Sequence, residues 1–150
     1  MSLFKLIHLL AALIWVGGMF FAYMVLRPVS AEVLQAPQRL QLWDKVFSCF
    51  FKYVWGAIFF MLASGLYMLH LYGGMANTPY FAHIMLLSGC LMVLIFVYVF
   101  FGLYPHFTRA VAANDWSKAG GFLAAVRKFI ASNLLIGIAT FAVVAFGRTF

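Results

Sequence analysis

The sequence contains few charged residues, and acidic residues are the rarest of them. Asp and Glu together number 3, and charged residues of both signs make up 9% of the chain, whereas a soluble domain carries about 25%. Glu32, Asp44 and Asp115 lie far apart and outside the long apolar stretches. A carboxylate pair, an HExxH motif, a Ser/His/Asp set and a phosphate-binding glycine loop are therefore missing. These absences argue against a hydrolase and against an ATP-driven pump.

Cysteine is also scarce. The two cysteines, Cys49 and Cys90, lie in apolar stretches. They form neither a CxxC pair nor the dense framework of a small secreted domain. We predict that both are buried free thiols.

Apolar residues, by contrast, are abundant. They make up 67% of the chain, with a mean hydropathy of +1.04, which is more apolar surface than a soluble core of this length can bury. A transmembrane helix needs about 20 predominantly apolar residues. Four stretches qualify, at about residues 6–26, 46–72, 81–104 and 129–147. We predict an all-α integral membrane protein, a four-helix transmembrane bundle that forms one domain over residues 1–150.

The regions beside the first span carry further information. Lys5 and the apolar stretch after it resemble a signal peptide, but the stretch is about 20 residues long and no A-x-A site follows, so it is expected to stay as the first span. Pro28 closes this span, since proline cannot continue a helix unbroken. Residues 29–45 mix apolar and charged residues around Pro37. This pattern predicts an amphipathic connection at the membrane interface.

Basic residues predict the orientation. The formal net charge is +7, but the Lys and Arg residues are scattered, with no run longer than Arg127-Lys128, so a nucleic-acid partner is not expected. Cytoplasmic loops retain Lys and Arg. One side of the membrane would hold Arg27, Arg39, Lys45, Lys52, Arg109, Lys118, Arg127 and Lys128, and the other side Lys5 and Arg148. We therefore predict a multi-pass protein of the bacterial inner membrane, with residues 29–45 cytoplasmic and both termini periplasmic.

The four histidines are the candidates for chemistry, since ionisable residues in spans are costly and often functional. His8, His70 and His83 each lie within about one turn of the predicted periplasmic interface. Three imidazoles at one depth form a candidate metal or haem site. Two would ligate a haem b, and all three, with Met75, would suit copper. His106 lies about 35 Å from His83 along the helix and is excluded from this site. Interfacial histidines without a ligand are the alternative.

Trp15 and Gly18 extend the candidate cofactor site along the first span. Trp15 follows His8 by two helical turns and so lies on the same helix face. Gly17-Gly18 would let a flat group approach the backbone closely, although ordinary helix packing explains these glycines equally well. Trp43 is better explained by the aromatic belt at the membrane interface.

The segment from Leu3 to Phe21, LFKLIHLLAALIWVGGMFF, resembles the opening helix of the copper-resistance D (CopD) superfamily of small membrane proteins. It is also similar to the HemJ-type protoporphyrinogen oxidases. These share a four-span layout, an H-x6-W spacing matched by His8 and Trp15, and a glycine matched by Gly18. The likeness is good over the first span and loose over most of the remaining chain.

The resemblance implies a haem b or copper function. In the HemJ-type family a first-span histidine, matched by His8, is linked to haem binding. A lysine opens the third span in that family, and His83 stands in its place as a second axial ligand. An arginine expected after the glycine is replaced by apolar residues 19–26, and an Asn-Glu signature before the last span is reduced to Ala131-Ser132-Asn133. These departures argue against protoporphyrinogen oxidase activity.

The sequence thus favours a membrane haem b protein, with His8 and either His83 or His70 as axial ligands, that transfers electrons at the periplasmic face. With both axial positions filled, electron transfer is favoured over oxygen chemistry. A quinone or a periplasmic redox protein would be the partner. The second hypothesis is copper uptake or delivery through His8, His70 and His83. The third is a cofactor-free subunit of a larger membrane complex or homo-oligomer.

Overall fold

The computed structural model describes residues 2–147. Four helices are long and apolar enough to cross a bilayer: α1 Leu3–Val33, α2 Ala36–Leu71, α3 Tyr80–Ala112 and α4 Trp116–Gly147. No strand occurs within this part of the chain. The predicted all-α membrane protein with four spans is therefore confirmed. Arg148, which entered the charge count, lies outside the described residues.

The helices extend beyond the predicted spans. Helix α1 continues through Pro28, and residues 34 and 35 alone separate it from α2, so most of residues 29–45 belong to the ends of these two helices. Gln35 and Gln38 form a capping box at the start of α2. Pro37 is accommodated because the first helical turn has N–H groups without intrahelical acceptors. The proline therefore helps α2 to begin and does not interrupt it.

Three π-helical turns widen the helices, at Leu13–Gly17 and Phe21–Leu26 in α1 and at Val99–Leu103 in α3. The last two directly precede Arg27-Pro28 and Tyr104-Pro105. A proline removes one backbone hydrogen bond and its ring clashes with the preceding turn. A wider turn just before the ring accommodates both effects, as π turns often do at helix irregularities. Both helices therefore continue past a proline, although Pro28 was predicted to close the first span.

Stacked and edge-on aromatic rings fill the bundle towards the end where α1 passes to α2. Phe47 is 1% exposed and its ring contacts those of Trp43, Phe51, Tyr104 and Phe107 at centroid distances of 5.2, 5.3, 6.4 and 6.0 Å. We call these five residues the aromatic core. Trp43 is 2% exposed and therefore belongs to this core and not to an interfacial belt. The core joins α2 to α3 by ring packing.

Both cysteines are exposed on the bundle surface and unpaired, so the prediction of buried thiols is wrong. A transmembrane helix is apolar on all sides, because lipid covers the faces that neighbouring helices do not. An apolar sequence context therefore does not predict burial here. The exposed apolar residues, among them Leu87 at 74% and Phe59 at 66%, are lipid-facing by the same argument.

Candidate metal site

The bundle has two unlike ends. We call the histidine end the one where α1 and α3 begin and α2 and α4 finish, and the arginine end the opposite one. His8, His70 and His83 lie in the terminal turns at the histidine end, on α1, α2 and α3 respectively. His106 lies at the arginine end, where its ring stacks on that of Phe122 at 5.5 Å. The topology thus places these four histidines on the ends that the sequence predicted.

Among the four, His8 makes a specific contact with a neighbouring helix. Its Nδ1 lies 3.1 Å from the backbone oxygen of Met61 and 3.1 Å from Ser64 Oγ, both on α2. Gly65 lies beside this contact, since a Cβ there would lie 3.4 Å from His8 Cε1, about van der Waals distance. The half-buried imidazole is therefore fixed between two helices.

These contacts define the tautomer of His8. A carbonyl oxygen only accepts, and the Ser64 hydroxyl donates to the backbone oxygen of Phe60 at 2.5 Å. Nδ1 must therefore carry the proton and donate it. The other nitrogen, Nε2, keeps its lone pair, and it has no hydrogen-bond partner within residues 2–147. A backbone carbonyl that orients an imidazole in this way is the usual support of a metal-binding histidine.

The other two histidines of the predicted cluster are placed differently. His70 is exposed, and His83 is exposed with its Nδ1 3.3 Å from the backbone oxygen of Pro79 in its own helix. In the described part of the chain, no group of three or more His, Cys, Asp or Glu side chains is close enough to hold a metal ion. The structure therefore does not assemble His8, His70 and His83 into one metal site.

Trp15 and Gly18 pack as interior residues. Trp15 is 1% exposed, lies in the first π turn and meets the ring of Phe96 edge-on at 6.2 Å. A Cβ on Gly18 would lie 2.3 Å from the ring of Phe50. The surface where a porphyrin was expected to approach α1 is therefore already covered by an aromatic side chain. These residues do not fit a haem in this conformation, and the structure gives the predicted haem b no support.

A second polar position lies deep in the bundle. Asn133 of α4 is 4% exposed and donates from Nδ2 to the backbone oxygen of Met92 at 3.1 Å. Its Oδ1 is buried and has no hydrogen-bond partner among the described residues, which is costly for an amide oxygen in an apolar interior. Asn133 lines a cavity with Trp15 and Met19. A donor oxygen and a thioether side chain therefore border one internal space.

Sequence reasoning identified His8 but missed Ser64, the carbonyl of Met61 and the buried side-chain oxygen of Asn133. The positions of Met61, Ser64 and Met68 at i, i+3 and i+7 did place them on one face of the second span. That spacing was the available signal. It could not identify the partner of this face, since hydrophobic periodicity is weak where lipid surrounds a helix.

The helices and their internal polar contacts define a small polytopic membrane protein in which a histidine, His8, is hydrogen-bonded between two helices. The family model for copper resistance protein D (CopD) matches residues 44–146. The chain therefore belongs to the CopD family and is a copper-related membrane protein. The match covers most of α2, α3 and α4, and it does not include His8, Trp15 or Gly18. No curated protein and no solved structure matches the chain. Similarity to the HemJ-type oxidases stays a prediction.

Proposed function

We propose that this protein captures copper as Cu(I) at the histidine end of the bundle, with His8 Nε2 as the first ligand, for uptake or delivery. One observation carries the proposal: His8 Nδ1 donates to the Met61 carbonyl and to Ser64. This arrangement orients the imidazole and leaves Nε2 with a lone pair for the metal. Copper is the cargo here and not a resident cofactor.

Thioether groups beside His8 supply the softer ligands that Cu(I) prefers. Met61 and Met68 are both half-buried, and their spacing from Ser64 predicts that they share the face of α2 that contacts His8. Residues at this spacing lie one above the other along a helix face. A site of one imidazole and one or two thioethers therefore replaces the three-histidine site that the sequence predicted. Such a site needs no nearby carboxylate, and the bundle interior offers none.

The cavity beside Asn133 marks a route for copper towards the middle of the bundle. Met19 lies eleven residues after His8 on α1, about 16 Å deeper at helical rise, and it is 3% exposed. Met19 and Asn133 line the same cavity, where the unpartnered Asn133 oxygen adds a donor to the thioether. These two residues support transfer of copper from the histidine end towards the middle of the membrane.

Cu(I) binding by the purified full-length protein tests the first ligand. The protein would be titrated in detergent against a chromophoric Cu(I) chelator. We expect stoichiometric binding by the wild type and its loss in His8→Ala, since one of a few ligands is removed. Ser64→Ala should weaken binding by about 10- to 100-fold, the usual effect of removing a group that orients a ligand.

His106→Ala is the matched control, since it removes an exposed imidazole at the other end of the bundle. It should leave copper binding unchanged. Met61→Leu and Met68→Leu should each weaken binding, and Met24→Leu, which changes a lipid-facing thioether at 54% exposure, should not. Equal copper binding by His8→Ala and the wild type would overturn the proposal. A Soret band that is present in the wild type and disappears in His8→Ala would instead indicate that His8 binds haem.

A further inference from the structure

The arginine end carries a cluster of positive charge that the copper site does not use. Arg27 of α1 and Arg127 of α4 line one cleft. Its other lining residues are Tyr23, Trp43, Ala22 and Ile130. The cleft is shallow and partly open at the surface of the bundle. Arg39 of α2 also lies within Coulombic range of Arg127. Three helices thus direct guanidinium groups towards one place at one membrane interface.

No acidic side chain within residues 2–147 forms an ion pair with this cluster. Within residues 2–147 the one ion pair joins Lys118 to Asp115, and Asp44, the acid nearest in sequence to Arg39, accepts a hydrogen bond from Thr108 at 2.7 Å. Arg127 is half-buried, and it feels the positive charges of both other arginines. Like charges that are partly withdrawn from water repel one another, which is unfavourable without a counter-charge. The cleft therefore has the electrostatics of an anion site.

The surroundings of the arginines indicate the kind of anion. A guanidinium donates two parallel hydrogen bonds to phosphate oxygens. Arg27 lies over the ring of Tyr23, with its Cζ 4.8 Å from the ring centroid, so its position is restrained. Trp43, Ala22 and Ile130 add apolar surface beside the charges. Basic pockets between transmembrane helices that have both properties bind the headgroups of acidic lipids.

We propose that the cleft formed by Arg27, Arg127, Tyr23 and Trp43 binds the phosphate of an acidic phospholipid headgroup. The phosphate would accept hydrogen bonds from Arg27 and Arg127 and offset the charge of Arg39. The acyl chains would lie against the lipid-facing surface of α1 and α4. Such a lipid would link α1, α2 and α4 at the end of the bundle where their charges otherwise repel. The predicted cytoplasmic location of this end would also provide acidic lipid, because that leaflet is negative.

Thermal unfolding of the full-length protein in a neutral detergent tests this proposal without copper present. Phosphatidylglycerol, phosphatidylcholine and inorganic phosphate would be added separately. A ligand that binds the folded state raises the unfolding temperature. We expect phosphatidylglycerol to raise it by several degrees more than phosphatidylcholine does. Inorganic phosphate should give little of this effect, and added salt should reduce the effect of the acidic lipid.

Arg127→Gln should abolish the extra stabilisation by phosphatidylglycerol. Arg27→Gln should reduce it and serves as the second variant, since Arg27 is exposed and its replacement is tolerated more easily. Lys128→Gln is the matched control, because it removes the same charge from an exposed neighbouring position. If Lys128→Gln lost the extra stabilisation by phosphatidylglycerol as fully as Arg127→Gln does, the proposed site would be wrong. Equal stabilisation by inorganic phosphate would overturn the lipid assignment.

Discussion

The histidine end and the arginine end of the bundle are held together by different interactions. At the arginine end, rings of the aromatic core pack around Phe47, and Arg27 and Arg127 line a cleft beside Trp43 of that core. At the histidine end, polar contacts join neighbouring helices, as between His8 and Ser64 at 3.1 Å and between Thr140 and Ser88 at 2.9 Å, together with one stacked and less buried ring pair, Phe4 and Tyr67. Ring packing resists local opening, whereas an isolated polar contact in a membrane contributes about 0.6 kcal/mol on average.

This difference suits a division of roles. A metal site that loads and unloads its cargo must open locally, and parts of a protein with few buried contacts open most easily. The proposed copper site lies at the end with fewer buried aromatic residues. The aromatic core then acts as the fixed part of the bundle against which α1 and α2 position His8. The predictions below test this comparison, beginning with the change of largest expected effect.

Phe47→Ala should destabilise the protein most. Phe47 contacts four other rings and is 1% exposed, so the alanine leaves a cavity at the centre of the aromatic core. Replacing a buried core Phe by Ala lowers the free energy of unfolding by about 3 kcal/mol. Equilibrium unfolding in detergent would measure it. Phe59→Ala, on the lipid-facing side of the same helix, is the control and should cost much less. If both variants lost the same free energy of unfolding, the aromatic core would not be what stabilises the arginine end.

Gly18→Ala should be the next most damaging change. The added Cβ would lie 2.3 Å from the ring of Phe50, so that ring or the helix must shift, at about 1 to 3 kcal/mol. At neighbouring Gly17 the nearest side-chain atom lies 3.8 Å from the added Cβ. Gly17→Ala should therefore be neutral or stabilising, because alanine favours helix more than glycine does.

A double variant sharpens this test. Gly18→Ala combined with Phe50→Ala should recover part of the loss relative to the sum of the single changes, because the two sites share one contact. Strict additivity in unfolding free energy would contradict the packing described for Gly18. Copper binding should be unaffected by Gly18→Ala once the variant is folded. A selective loss of a bound chromophore would instead support the cofactor surface that the sequence suggested.

The sequence predicted the number and nature of the spans because the membrane imposes a simple length and hydropathy rule. It could not predict which side of each span faces protein. Cys49 and Cys90 face outward and Trp43 faces inward, although all three lie in similar apolar or interfacial contexts. Pro28 was misleading for a related reason, since a π turn before it lets the first helix continue.

The candidate site was predictable in part. His8 was identified from its depth in the membrane, and the distribution of basic residues assigned Arg27, Arg39 and Arg127 to one side. The support that Met61 and Ser64 give to His8 required a tertiary contact between residues more than 50 positions apart. The convergence of three arginines required the packing of three helices. The sequence predicts how deep a residue lies in the membrane. The side of the helix that faces protein depends on how the helices pack.

Asp115 provides the prediction of smallest effect. It begins α4, where its Oδ1 accepts the backbone N–H of Lys118 at 3.1 Å and its Oδ2 lies 2.8 Å from Lys118 Nζ. The side-chain contact with Lys118, followed by the backbone hydrogen bond, lowers the pKa of Asp115 below 3.8. A carboxyl group with a lowered pKa stabilises the folded protein above its unfolded pKa. This contribution is lost as the pH falls through the folded value.

Asp115→Ala should therefore reduce the unfolding temperature slightly at neutral pH, and the difference from wild type should shrink in acid below 3.8. Asp115→Asn should lie between the two, since asparagine also caps a helix but carries no charge. Because both groups are exposed to solvent, added salt should reduce the part that depends on charge. A loss as large as that of Phe47→Ala would reverse the comparison. It would mean that surface charge, and not the aromatic core, stabilises the arginine end.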